Sequence, residues 1–69
     1  MERLRAVMRD AKYNRQASLK RIAIVAKHRG YIESELFDEL ERFDFTIEDS
    51  KEVIRNFENL TNIERKFLI

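Results

Sequence analysis

A single glycine, Gly30, most constrains how this chain folds, because its 69 residues contain no other glycine and no proline. It follows a long stretch whose apolar residues have helical spacing. Glycine readily adopts the positive φ that closes a helix in a left-handed cap. We therefore expect the first helical segment to end here and the chain to continue as an extended link at Tyr31 and Ile32.

Gly30 also divides the charge of the chain. Residues 1–30 carry nine basic and two acidic side chains, a net charge of +7, whereas residues 31–69 carry five basic and eleven acidic side chains, a net charge of −6. The formal net charge of +1 therefore conceals two oppositely charged halves. The length predicts one domain over residues 1–69, with residues 1–18 as an N-terminal helical extension and residues 19–69 as the core.

Composition argues against several kinds of site. The chain has no cysteine and one histidine, His28, so we expect no disulfide, no metal site and no cofactor. Its serine and acidic residues lack the spacing of a catalytic motif, which predicts a non-enzymatic protein without a small-molecule substrate. The absence of a leader peptide and of an apolar run of about 18 residues predicts a cytoplasmic protein that does not bind membranes.

Residues 2–29 have the pattern of an amphipathic helix. Ser18 lies at a break in the apolar stripe and is a possible N-cap, so this segment is either one long helix or two tandem helices. We expect the apolar residues before the break to lack a partner in the same chain and to form the interface of a homodimer or of a complex with another protein. These interface residues are Leu4, Val7, Met8 and Ala11.

Two more helices are predicted after Gly30. Ser34 is the expected N-cap of a helix that ends at Phe43, and Thr46 is the expected N-cap of a helix from residue 47 to about residue 59. Asp44 and Phe45 form the turn between them. The predicted buried residues of these two helices are Leu36, Phe37, Leu40, Phe43, Ile47, Val53, Ile54 and Phe57.

The last nine residues, 61–69, fit two structures. Ile63, Arg65, Phe67 and Ile69 alternate with other residues as in a strand, whereas Thr61 and Glu64 have the spacing of a capping box. We favour a short edge strand that pairs with residues 31–32, with a short fourth helix as the alternative.

This order of elements resembles a winged helix-turn-helix domain, as in small transcription regulators and at the C-terminus of replicative helicases. Residues 22–32 correspond to the first helix and first strand, residues 33–40 to the second helix, residues 45–60 to the third helix and residues 62–67 to the second strand. The resemblance implies a mainly α fold: a three-helix core with a long N-terminal helix and a minimal pair of β-strands. It also implies binding to double-stranded DNA.

The distribution of charge shifts the expected DNA contacts away from the third helix, which usually enters the major groove. That helix carries four acidic residues but only two basic ones, so we expect the basic N-terminal segment to supply most phosphate contacts. The predicted nucleic-acid contacts are Arg5, Arg9, Lys12, Arg15, Lys20, Lys27 and Arg55.

Two functions are consistent with these features. The first is a small DNA-associated regulator that binds through its basic first helix as a homodimer. The second is a non-enzymatic protein–protein interaction module that uses the acidic second and third helices or the apolar N-terminal residues.

Overall fold

The computed structural model of the chain describes residues 3–14 and 17–68, with side chains described up to residue 63. This part contains the α-helices α1 (Leu4–Arg9), α2 (Leu19–His28), α3 (Glu33–Arg42) and α4 (Ile47–Leu68). A π-helical turn, Asp10–Asn14, directly follows α1. The prediction of a mainly α fold is confirmed, whereas the predicted pair of strands is wrong, since the described ranges contain no strand.

The N-terminal segment forms two tandem helices rather than one long helix. α2 begins at Leu19 because Ser18 has an extended backbone, with φ −86° and ψ 162°, and its hydroxyl accepts a hydrogen bond from the Arg21 N–H at 3.1 Å. α1 packs against α2 instead of extending beyond the core. Arg15, one of the predicted nucleic-acid contacts, lies outside the described residues.

Gly30 ends α2 as predicted. Its φ of 81° is left-handed, and its N–H donates to the Lys27 carbonyl at 3.1 Å while the Tyr31 N–H donates to the Ala26 carbonyl at 3.0 Å. This pair of bonds is a Schellman motif, which satisfies two of the carbonyls left free at the helix end. α2 therefore ends here, and α3 starts at Glu33.

The end of α3 repeats this motif without a glycine. Asp44 has a φ of 57°, its N–H donates to the Glu41 carbonyl at 2.9 Å, and the Phe45 N–H donates to the Leu40 carbonyl at 3.1 Å. Aspartate tolerates the left-handed region better than most residues with a Cβ atom. The predicted turn at Asp44 and Phe45 is thus confirmed.

The N-terminus of α3 differs from the prediction. Ile32, not Ser34, is the N-cap residue, and the Glu35 carboxylate accepts a hydrogen bond from the Ile32 N–H at 3.0 Å. A glutamate at the third helical position reaches back to the N-cap in this way. Ser34 therefore lies inside the first turn of α3 rather than before it.

α4 begins as predicted but continues much farther. The Thr46 hydroxyl accepts a hydrogen bond from the Asp49 N–H at 3.1 Å, which caps the helix. The Thr61 hydroxyl donates to the Phe57 carbonyl one turn earlier at 3.1 Å, so Thr61 lies within the helix and does not cap a new one. Residues 61–68 continue α4, and the predicted edge strand and separate fourth helix are both wrong.

One apolar core joins the four helices, and α2 occupies its centre by packing against both α1 and α4, while α3 packs against α4. The buried apolar residues are Leu4, Val7, Met8, Ile22, Ala23, Val25, Ala26, Leu36, Leu40, Val53 and Phe57. Phe43 and Ile54 pack partly buried against this core. Two predicted core residues lie outside it, since Phe37 is 45% exposed and Ile47, the first residue of α4, is 74% exposed.

The apolar N-terminal residues have their partner within the chain. Leu4, Val7 and Met8 have exposed fractions of 3%, 0% and 0%, and Ala11 packs against the same core. The expectation that they lack an intrachain partner is wrong, because α1 packs against α2 and so covers this stripe. The stripe therefore does not support a homodimer or partner interface.

Candidate functional site

Two arginines on the solvent side of α1 and a tyrosine of the following π-helical turn are spaced at intervals of four residues. Arg5, Arg9 and Tyr13 are exposed and line the same groove. Residues four apart share a helix face, and like charges at this spacing destabilise an isolated helix by about 0.2–0.5 kcal/mol. The burial of Leu4, Val7 and Met8 on the other side of α1 therefore has to offset the repulsion between these arginines.

Four arginines line a groove of about 510 Å³ between α1 and the end of α2. We call it the arginine groove; its lining residues are Arg3, Leu4, Arg5, Ala6, Arg9, Arg29 and Tyr31. No carboxylate is among them. The predicted contacts Arg5 and Arg9 both line this groove. Two arginines that were not predicted line it as well: Arg3, the N-cap residue of α1, and Arg29, the C-cap residue of α2.

Glu39 of α3 holds one of these arginines. The Arg5 Nε lies 3.2 Å from Glu39 Oε2 and its Nη2 lies 3.4 Å from Oε1, so the pair is bidentate. Arg42 Nη1 lies 3.7 Å from the same Oε1. The hydrogen bonds to Glu39, and then its negative charge, raise the pKa of Arg5. Glu39 is 8% exposed, whereas 63% of the Arg5 side chain stays open to solvent.

A second groove, of about 650 Å³, adjoins the arginine groove and shares Arg5 and Arg9 with it. We call it the tyrosine groove; it is lined by Arg5, Arg9, Tyr13, Glu39, Arg42, Phe43 and Asp44. Tyr13 is 66% exposed here. Cationic side chains therefore lead from one groove to an accessible aromatic ring in the other.

Lys12 is a structural residue rather than part of this cationic surface. Its Nζ donates to the carbonyl oxygens of Phe43 and Asp44, the latter at 2.8 Å, and so binds the C-terminal end of α3. Carbonyls at a helix end lack intrahelical donors and attract a positive charge. The same Nζ lies over the rings of Tyr13 and Phe45, at 5.5 and 5.6 Å from their centroids. Its predicted contact with nucleic acid is therefore in competition with these bonds.

Lys27 has a comparable structural role between α2 and α4. Its Nζ donates to the Thr61 hydroxyl at 3.0 Å and lies 5.2 Å from the centroid of the Phe57 ring. The side chain is partly buried. Like Lys12, it joins two helices across more than thirty residues of sequence.

The remaining predicted contacts are not brought into the arginine groove. Lys20, in the first turn of α2, and Arg55, in α4, are exposed and line neither the arginine groove nor the tyrosine groove. Their binding to nucleic acid stays a prediction. Sequence reasoning missed Arg3, Arg29 and Arg42. Arg29 and Arg42 meet α1 only through the packing of α2 and α3, whereas Arg3 directly precedes α1 in the sequence.

Two glutamates from different helices meet on another side of the molecule. Glu33 of α3 and Glu58 of α4 line a groove of about 400 Å³. A hydrogen bond to Glu58, followed by burial and the negative charge of Glu58, raises the pKa of Glu33. Lys27 and Tyr31 line the same groove.

Comparison with known proteins adds no family to this description. Neither a family model, nor a curated protein, nor a solved structure matches the chain. Among the described residues, no three histidine, cysteine, aspartate or glutamate side chains are placed to hold a metal ion. Within the same residues, no helix combines the length and apolar character needed to cross a membrane. The chemistry of the arginine groove is therefore the basis on which a function is assigned.

Proposed function

We propose that this chain is a small, non-enzymatic DNA-associated regulator of the cytoplasm that holds phosphates of nucleic acid in the arginine groove. The observation that carries this proposal is the meeting of Arg3, Arg5, Arg9 and Arg29 in one groove that no carboxylate lines. Guanidinium groups donate paired hydrogen bonds to phosphate oxygens and keep their charge at any physiological pH. The groove therefore has both the charge and the donors that a phosphate backbone requires.

The availability of these donors supports the proposal. Arg3, Arg9 and Arg29 are exposed, and no hydrogen bond or ion pair joins their side chains to another residue of the described part. Arg5 is the exception, because it binds Glu39, yet most of its side chain remains exposed. The adjacent arginines repel one another, so binding a polyanion that neutralises them is favourable. Nucleic acid also releases its own counterions when it binds, which favours the complex further.

Charge on α4 makes the arginine groove a better DNA contact than the helix that usually enters the major groove. Glu48, Glu52 and Glu58 are all exposed on α4 and would repel phosphates. A helix-turn-helix likeness of α2, α3 and α4 remains part of our proposal, without the strand pair of a winged domain. We do not extend the proposal to a homodimer, because its predicted interface is buried within one chain.

The proposal is tested by fluorescence anisotropy with a labelled random-sequence 20-base-pair duplex. If three phosphates are neutralised, affinity falls by about 40-fold between 50 and 200 mM salt. The double variant Arg9→Ala/Arg29→Ala removes two contacts and should lose at least about tenfold in affinity at 50 mM salt.

Lys51→Ala is the matched control, since Lys51 is exposed on α4 and lines neither groove. This variant lowers the net charge of the chain by one without changing the arginine groove, so its affinity for the duplex should change little. Absence of binding to any nucleic acid, duplex or single strand, at 50 mM salt would contradict the proposal, as would an equal loss of affinity per charge removed in Lys51→Ala and in the double variant.

One observation favours the alternative, a protein–protein interaction module. Phe37 is 45% exposed on α3, and Glu33 and Glu41 lie one turn before and one turn after it. An apolar ring flanked by carboxylates suits a basic partner with an apolar side chain. Phe37→Ala separates the two functions, because it leaves the arginine groove intact. Unchanged DNA binding by this variant is expected if DNA binds the arginine groove.

A further inference from the structure

We infer that the arginine groove and the tyrosine groove together bind a single-stranded stretch of nucleic acid, with phosphates on the arginines and a base stacked on Tyr13. The inference rests on the proposed function and specifies the strand form that the same site takes. It follows from the position of Tyr13, from the amine that lies over its ring and from the continuity of the two grooves.

Tyr13 is the aromatic residue that the fold leaves open beside the arginines. It is 66% exposed, whereas Tyr31, which lines the arginine groove, is partly buried and packs against the core. Aromatic side chains gain much of their stabilising effect from burial. The exposed ring of Tyr13, one turn beyond Arg9, therefore adds little to the stability of the fold and is accessible for stacking on a ligand.

Lys12 lies next to this ring. Its Nζ lies over the Tyr13 ring, 5.5 Å from the centroid, and is itself fixed by the carbonyls of Phe43 and Asp44. An ammonium over the face of a ring attracts it. Because the amine lies over one face and most of the residue is exposed, we place the stacked base on the opposite face.

The two grooves form one continuous surface, since Arg5 and Arg9 line both. A strand whose phosphates contact Arg3, Arg29, Arg5 and Arg9 in the arginine groove would continue toward Tyr13. The carboxylate of Glu39 opposes this charge only weakly, because it is bound by Arg5 and Arg42. The carboxylate of Asp44 is the one acidic group on this path without such a pair among the described residues.

This combination of arginines and an open ring favours a single strand over a duplex. Proteins that bind single strands combine a cationic groove for the backbone with aromatic rings on which bases stack. In a duplex the bases are already stacked and paired, so Tyr13 would have no base to bind. Loss of one stacked base weakens binding by about 5- to 150-fold.

The test compares a labelled ten-nucleotide oligothymidylate with a ten-base-pair random-sequence duplex at 50 mM salt, using fluorescence anisotropy. We expect the wild-type chain to bind the single strand at least about fivefold more tightly. Tyr13→Ala should reduce single-strand affinity by about 5- to 150-fold and leave duplex affinity unchanged. Tyr13→Phe, which keeps the ring, should restore single-strand binding, and far-UV circular dichroism checks that each variant is folded.

The outcomes separate this inference from the proposed function. Tighter binding to the duplex than to the single strand, or an equal effect of Tyr13→Ala on both ligands, overturns the inference. In either case the proposed function still holds if Arg9→Ala weakens duplex binding. If the wild-type chain binds neither ligand, both fail. The ratio of the two wild-type affinities decides the question even if Tyr13→Ala unfolds.

Discussion

The Lys12 amine donates a hydrogen bond to the main-chain carbonyl of Asp44 at 2.8 Å, across 32 residues of sequence. It also donates to the Phe43 carbonyl, so a single side chain of the π-helical turn binds the C-terminal end of α3. π-helical turns are rare and often occur where a function or a special contact requires them. Here the turn lies at the contact between the basic N-terminal segment and the acidic half of the chain.

Replacing this amine should destabilise the fold. Lys12→Met keeps most of the aliphatic side chain but leaves two carbonyls at the end of α3 without a charged donor, so the free energy of unfolding should fall by about 1–2 kcal/mol. Urea denaturation followed by circular dichroism measures the change. Lys51→Met, at an exposed position of α4, is the control and should change it by less than about 0.5 kcal/mol. Equal effects in the two variants would show that the Lys12 bonds add nothing.

Gly30 should be difficult to replace even though space is available. A Cβ atom added at this residue would meet no other atom within 4 Å, so the cost of Gly30→Ala is that of placing alanine at a φ of 81°. We expect a loss of about 1 kcal/mol in the free energy of unfolding. Gly30→Asn should lose less, because asparagine tolerates this conformation. Equal losses, measured by urea denaturation, would point to a steric cause instead.

Local signals explain why much of the fold could be predicted. Ser18, Gly30, Asp44 and Thr46 act through hydrogen bonds or backbone angles within a few residues, and all four mark real helix boundaries. The end of the chain was harder to predict because its alternating residues fit two structures, and no glycine or proline follows Thr46 to stop α4. Continuation of the helix therefore outweighed the short alternating pattern.

The candidate site could be predicted only in part, for a related reason. Arg5 and Arg9 were identified because they lie on the polar side of a predicted helix. The bonds of Lys12 could not be predicted because the carbonyls that bind it come from residues more than thirty positions away. Arg3 and Arg29 join the arginine groove only through the packing of α1 near the end of α2. The spacing of Arg5, Arg9 and Tyr13 was a local signal that was available in the sequence.

Met8 should act as a core residue and not as an interface residue. It is fully buried within one chain, so Met8→Ala should lower the free energy of unfolding by about 2–5 kcal/mol. The loss is a large fraction of the total stability expected for a domain of this size. Ala6→Ser, at an exposed position of α1, is the control and should have a small effect.

Sizing the same two variants by light scattering completes this test. The molar mass of the folded fraction should be the same for Met8→Ala and Ala6→Ser, because the stripe that contains Met8 lies against the chain's own core. A Met8→Ala variant that keeps its stability but dissociates from a dimer would contradict the burial described for α1.

The contact between Glu33 and Glu58 should make stability depend on pH. Because the pKa of Glu33 is raised above its ordinary value of 4.5, the folded chain holds this proton more tightly than the unfolded chain does. The resulting stabilisation is fully present below pH 4.5 and is lost as the pH rises through the folded-state value. Glu33→Gln keeps a hydrogen-bond donor near Glu58 but cannot ionise, so its stability relative to the wild type should increase from pH 4 to pH 7.

The decisive quantity is how the difference in free energy of unfolding between Glu33→Gln and the wild type changes with pH. Its value at a single pH is not decisive, because Glu33→Gln also removes a negative charge that stabilises the N-terminus of α3 at neutral pH. Urea denaturation at half-unit intervals of pH gives the difference between the two proteins. Glu41→Gln, which removes an exposed carboxylate of α3 outside this groove, is the control and should show no comparable rise. If the difference between Glu33→Gln and the wild type is flat or falls across this range, the two glutamates do not share a proton in the folded chain.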